Sequence, residues 1–331
     1  MKTTKFRMFT VGVMILALLS LNSFAKDNQP TITKTFEMNQ AGTLNASSSG
    51  GGVNVTTHSQ PQVIIQAFVR KNGRLLSPSD NDLDEILDDF DLEFSKSGSV
   101  ITAEVKRKNR FSFFNNAGIS LNIIVPVEMS CNVSSSGGGL KINGVKGTHD
   151  FSSSGGGVKL ENTSGNTKAR SSGGGVKASN HKGNIRLSSS GGGVSADEVQ
   201  GSVYARSSGG GVTVSNVVGD VDASSSGGGV SVSGEAAAVK ATSSGGSVRV
   251  DIRGLSEELY LQSSGGGVDA LIHGGENLGL DLDLRSGRVN IELHNFNGTS
   301  EKDRVKGKMN GGGIPTYMHA SGGNVNVRFE E

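Results

Sequence analysis

Ser171-Ser172-Gly173-Gly174-Gly175-Val176-Lys177-Ala178 returns eighteen residues later as Ser189-Ser190-Gly191-Gly192-Gly193-Val194-Ser195-Ala196, and then as Ser207-Ser208-Gly209-Gly210-Gly211-Val212-Thr213-Val214. The first glycine of this phrase falls at Gly137, Gly155, Gly173, Gly191, Gly209, Gly227 and Gly245, always eighteen residues apart. Gly265 and Gly287 follow at slightly longer spacing, and Gly50 and Gly322 are outlying copies. A fixed short period means a stacked repeat rather than one globular core. Glycine supplies 50 of 331 residues, about twice the usual ~7%. A disordered filler would not hold this register, and without a Gly-X-Y period the chain is not collagen.

Counting from the residue after the glycines, position one of the coil reads Leu140, Val158, Val176, Val194, Val212, Val230, Val248 and Val268. Position three reads Ile142, Leu160, Ala178, Ala196, Val214, Val232, Val250 and Ala270. Positions ten and twelve repeat the pattern with residues such as Ile185 and Leu187, or Val203 and Ala205. Each coil therefore holds two short strands with apolar side chains on alternate sites. A turn between them has glycine at position eight, and the Ser-Gly run makes the other corner, where positive φ and close backbone approach are both open to glycine. The reading is an all-β, single-stranded parallel β-solenoid, expected to be right-handed from the hand of parallel crossovers. An aliphatic residue every six positions is missing, so the left-handed hexapeptide helix is rejected. The Gly-Gly-x-Gly-x-Asp calcium roll is absent as well.

Outside the repeat, 31–133 alternates strongly and contains Leu83, Ile86, Leu87 and Phe90 at helical spacing, with Ser79 or Asn81 as a candidate cap. The final strand, from Asn324, carries Arg328, Glu330 and Glu331, charges suited to blunting an exposed edge. At the start, Lys2, Lys5 and Arg7 precede an apolar run from Met8 to Leu21, and Ser23-Phe24-Ala25 offers small residues for cleavage. This predicts a signal peptide, export to the periplasm, outer cell surface or medium, and no transmembrane segment after cleavage. The chain divides into a signal peptide (1–25), a β-rich N-terminal cap with first coils (26–133), the eighteen-residue repeat (134–275), and C-terminal coils with a cap (276–331).

Loss of Lys2, Lys5 and Arg7 lowers the formal charge from +1 to −2, a balance with no bias toward nucleic acid. Cys131 is the single cysteine, so no intrachain disulfide is possible, and its strand-like setting predicts packing rather than nucleophilicity. The six histidines share no coil position and show no metal-ligand spacing. Asp80-Asn81-Asp82-Leu83-Asp84 resembles the start of a calcium loop, but Glu85 stands where glycine is needed and Asp91 replaces the bidentate glutamate. No Gly-x-Ser-x-Gly elbow is present; a serine that recurs in every coil is better explained as an inward stack that satisfies its hydroxyls between coils. No catalytic residue, cofactor or metal ligand is assigned.

One row does point to a ligand. Position two reads Lys141, Lys159 and Lys177 in consecutive coils, and the same region carries Lys168, Arg170 and Arg186 on the other strand. Stacked like charges cost stability unless something relieves them. These six form the candidate binding patch, for an anionic glycan, a lipid head group or another envelope protein.

Gly42 to Val53, the unit Gly219-Asp220-Val221-Asp222-Ala223-Ser224-Ser225-Ser226-Gly227-Gly228, and the ending Lys308-Met309-Asn310-Gly311-Gly312-Gly313 with Ser321 to Val327 resemble the bacterial putative adhesin family, exported β-solenoids first catalogued as domains of unknown function. The resemblance covers nearly all of the mature chain. It implies a non-catalytic surface or envelope binding role and brings no catalytic residues. A periplasmic scaffold or envelope-stress component is the alternative. A polysaccharide-acting β-helix enzyme would need a local carboxylate or basic cluster in a walled groove, which the sequence does not offer.

Overall fold

The computed structural model describes residues 29–108 and 117–330; the expected signal peptide lies outside them. The described chain is one continuous β-structure of 29 strands, with parallel pairing through its body. Strands that open a coil, such as Val176–Lys182, Val194–Gln200 and Val212–Val218, pair in register one coil apart. Strands that close a coil, such as Ile185–Ser189, Val203–Ser207 and Val221–Ser225, form the second ladder. The two ladders bury the same small set of side chains against each other: Val176, Ala178, Ile185 and Leu187 are each no more than 2% exposed.

The corner after the second ladder is held by serine. Ser207 at position fourteen donates its hydroxyl to the Gly192 carbonyl (2.8 Å) and accepts the N–H of Gly210 (3.0 Å). Gly192 and Gly210 occupy the same place in consecutive coils, so each Oγ ties two corners together. The motif repeats at Ser153, Ser171, Ser189, Ser225, Ser243 and Ser263, whose hydroxyls all reach back to the preceding corner. This is the inward serine stack expected from the sequence.

Close approach explains the glycines at this corner. A Cβ on Gly191 would stand 2.4 Å from the Gly173 oxygen, and one on Gly192 would stand 2.5 Å from the Gly175 nitrogen. From Gly137 to Gly267 no glycine of the Ser-Gly corner has positive φ, so the conformational half of the expectation fails here. It applies instead at position eight, where Gly165, Gly183, Gly201 and Gly219 have φ of 104 to 141°. A third bend, unseen in the repeat pattern, falls at position five: Asn162, Asn180, Glu198 and Asn216 are left-handed at φ 52 to 53°, a conformation asparagine tolerates and glutamate adopts here only with its coil neighbours on either side. It turns position six inward, burying Thr163, His181, Val199 and Val217.

The ends depart from sequential stacking. Gly42–Ser48 lies between Val100–Arg107 and Met129–Ser135, and Val53–His58 lies between Ala117–Pro126 and Leu140–Asn143. The first coil in the chain is thus second in the stack. The far end mirrors this: Ile314–Ala320 is inserted between Glu258–Ser263 and Leu280–Arg285. Val325–Glu330 is no free edge, because it lies between Val268–His273 and Val289–Asn290. Antiparallel strands cover the outermost coils, Gln62–Lys71 and Phe90–Ser97 at one end and Arg304–Met309 at the other. The short helix is Leu83–Asp88; its N-cap is Asp82, with no side-chain cap bond, and Phe90 already begins a strand.

Polar groups enter the interior at one stretch. His149 is 2% exposed and His181 is fully buried, with Thr163 Oγ1 2.9 Å from His181 Nδ1. His149 Nδ1, Thr167 Oγ1 and His181 Nε2 have no protein partner. Burial lowers the His149 pKa from 6.5 to about 4 and moves His181 the same way.

This packing makes its own tests. Ser207→Ala leaves a corner N–H and carbonyl without partners and costs about 1–3 kcal/mol; an unchanged urea midpoint would contradict the relay. Gly192→Ala, facing backbone at 2.5 Å, costs about 1–3 kcal/mol or more. Gly193→Ser should change stability by under about 1 kcal/mol, because Ser247 fills the equivalent place three coils on. Equal losses in thermal melts of the two glycine variants would refute the close-approach account. For His149 the unfolded chain takes up the proton first as pH falls below 6.5, so stability is full above 6.5 and is lost as pH drops toward 4. That loss amounts to about 3 kcal/mol. His149→Val, which copies position ten of the later coils (Val203, Val221 and Val239), should flatten that part of the pH profile.

Candidate ligand-binding surfaces

The first ladder presents position two outward. Its register places Lys141 beside Lys159 and Lys159 beside Lys177, one ladder step of ~4.8 Å apart. Lys159 is paired with Glu161 at 2.7 Å. Upstream the row continues as neutral amides, with Asn54 donating to Asn122 and Asn122 to Gln66, both at 2.7 Å.

Beside this row runs a groove of about 1360 Å³, floored by Gly52, Gly139, Gly157, Gly175, Gly193 and Gly211. The groove follows from the corner: glycines that let the backbones close also leave a strip without side chains. Phe68 and Arg70 enter from the capping strand Gln62–Lys71. The lining side chains include four cations (Arg70, Lys141, Lys159 and Lys177) and no carboxylate. Sequence spacing could not reveal Arg70, because its place depends on the antiparallel pairing of Arg70 with Gly118.

The remaining candidates lie elsewhere. Lys168 and Arg186 are neighbours on the second ladder, in a separate groove of about 690 Å³ that shares no lining residue with the first. There Asp150, Asp222 and Glu258 are interspersed with Lys168, Arg186 and Lys240. Arg170 is engaged by Asp150 at 3.0 Å. Arg186 and Arg206 sit over the Tyr204 ring at 4.0 and 4.3 Å. The structure thus divides the six expected residues between two surfaces: a groove whose lining has no carboxylate, although Lys159 pairs with Glu161 at its side, and a second of mixed charge.

Groups with chemical potential are otherwise occupied. Cys131 is fully buried, and burial pushes its thiol up to about 12. Asp80 accepts the Ser77 N–H at 2.6 Å and pairs with Arg74 at 3.2 Å; that backbone hydrogen bond holds its carboxyl below the ordinary range. Asp82 pairs with Lys71 at 3.1 Å. His273 stands between Asp251 (2.8 Å) and Glu330 (3.9 Å), so both ring nitrogens face carboxylates. Among the described residues, no three His, Cys, Asp or Glu side chains are placed to hold a metal ion. Nor is any helix there long and apolar enough to cross a membrane.

No protein-family model matches the chain, and no curated protein does. Solved structures similar to it include the following three. A putative cell adhesion protein from Clostridium sporogenes is 11% identical, covering 91% of this chain and 100% of its own, at a TM-score of 0.20. A putative lipid binding protein from Parabacteroides distasonis is 14% identical, covering 91% and 98%, at 0.34. A putative adhesin from Parabacteroides merdae is 10% identical, covering 90% and 95%, at 0.31. At TM-scores this low the likenesses carry no argument.

Proposed function

We propose that this chain is a non-catalytic, exported protein of the cell envelope that binds an anionic glycan along its first ladder. The observation that carries this reading is the glycine-floored groove lined by Arg70, Lys141, Lys159 and Lys177 with no carboxylate. The three lysines repeat once per coil, so the matching ligand is an extended polymer with regularly spaced negative charges lying parallel to the stack. Screened surface charges of this kind give salt-sensitive binding. A non-catalytic role is supported by what the candidate nucleophiles already do: the repeated serines are committed to the corners and the one thiol is buried.

The test is binding of polygalacturonate to the purified protein, with neutral dextran as control. Lys159→Glu with Lys177→Glu should weaken polygalacturonate binding at least tenfold and leave the thermal midpoint close to that of the native chain. Unchanged affinity would remove this groove as the site. Binding to phosphatidylglycerol vesicles but not to polygalacturonate would replace the glycan by a lipid surface. Protease shaving of intact cells, with a periplasmic control, separates a surface position from a periplasmic one.

A further inference from the structure

The second ladder carries a row whose order has a symmetry of its own. At position eleven the register runs Asp150, Lys168, Arg186, Tyr204, Asp222, Lys240, Tyr260, Tyr317, Asp283 and Lys306, each beside the next. None of these side chains is buried, and all three tyrosines of the chain are among them. Read backwards against itself, the row is complementary throughout. Asp150 meets Lys306, Lys168 meets Asp283, Arg186 meets Tyr317, Tyr204 meets Tyr260, and Asp222 meets Lys240. That is three opposite-charge pairings, one cation–π pairing and one aromatic pairing, and each would occur twice.

We infer that this face is a dimer interface, occupied by a second copy of the same chain. A two-fold axis lying in the interface, parallel to the strands and between Asp222 and Lys240, sets position eleven of one copy on position eleven of the other with the stacks antiparallel. Such an isologous contact sets residue i against j and j against i, so each complementary pairing of this row is made twice. The flanking rows tolerate the same operation. At position nine, Lys308 comes opposite Thr148, Asp281 opposite Asn166, and Glu258 opposite Ser202, so no like charges meet. At position thirteen the single like-charge encounter is Arg170 with Arg285; their aspartates, Asp150 at 3.0 Å and Asp283 at 2.9 Å, are shared with the position-eleven pairings, so this encounter offsets part of that gain.

The area suits a stable contact. Ten strands at ~4.8 Å spacing and five residues of each strand give a face of about 43 by 16 Å. Two copies would then bury on the order of 1,400 Å², within the ~1,200–2,000 Å² of specific interfaces. The tyrosines are already set by in-chain contacts, Tyr260 stacked on Tyr317 at 4.8 Å and Tyr204 held by Arg186 and Arg206. Little side-chain freedom remains to be lost on association. The dimer would leave the two basic grooves facing away from each other.

Sedimentation equilibrium of the purified protein at low and high salt tests this. The expected result is a dimer that weakens with salt. Asp222→Lys and Lys240→Asp, each setting like charges against the partner twice, should each weaken dimerisation at least tenfold. The exchanged variant carrying both changes should restore it, because opposite charges would again meet at these two positions with their places reversed. Circular dichroism melts of all three variants confirm that they fold. A native chain that stays monomeric at 100 μM overturns the proposal, as does a dimer indifferent to the single reversals. If the exchanged variant stays as weak as the singles, the pairing is wrong even where a dimer exists.

Discussion

The hydroxyl at position fourteen is the contact on which the rest of the molecule depends. In the coils of Ser171 to Ser263 it takes the N–H of one glycine and gives its own proton to the carbonyl of the equivalent glycine one coil back. This satisfies buried backbone groups at a sharp corner, where an unpaired donor or acceptor is expensive. It also sets the spacing of the corners so tightly that a Cβ on the first or second corner glycine from Gly155 to Gly266 would meet a neighbouring coil at 2.2 to 2.6 Å. Serine is small enough to stay inside the narrow interior and short enough to reach both partners. A larger side chain at this position would force the two ladders apart.

The same constraint shapes the surface. Where glycine removes side chains from the corner, the backbone itself becomes the floor of a groove, and the position-two row becomes its wall. Structure and candidate binding site are therefore not separate features: the residues that permit close stacking also clear the space. On the second ladder the outward rows carry mixed charges that neutralise one another locally, as Asp150 does for Arg170 and Asp222 for Arg206.

A parallel stack has two exposed edges, and unpaired edges invite further pairing. Both ends of this chain answer in the same way. The coil nearest each terminus is placed inside the stack, and antiparallel strands cover the coil outside it. Neither terminal coil can complete its pairing until a segment distant in sequence is in place. These long-range closures are slow steps in a fold otherwise built from near neighbours.

The period, the inward and outward positions, the serine stack and the lysine row were all legible in the amino-acid order. They depend on residues one coil apart, and a repeat keeps such neighbours at a constant offset. The left-handed asparagines and the position-eleven row were present there too, but they lack a repeated apolar signal and became visible only when the coils were aligned in space. The rest belongs to the tertiary structure. The insertion of 42–58 and 314–330 between other coils, the arrival of Arg70 at the groove, and the division of six basic residues between two surfaces all arise in three dimensions. The first two need non-sequential or antiparallel pairing, and the third needs the two ladders to face opposite ways. Such pairings join segments far apart in sequence, and no local pattern encodes that choice.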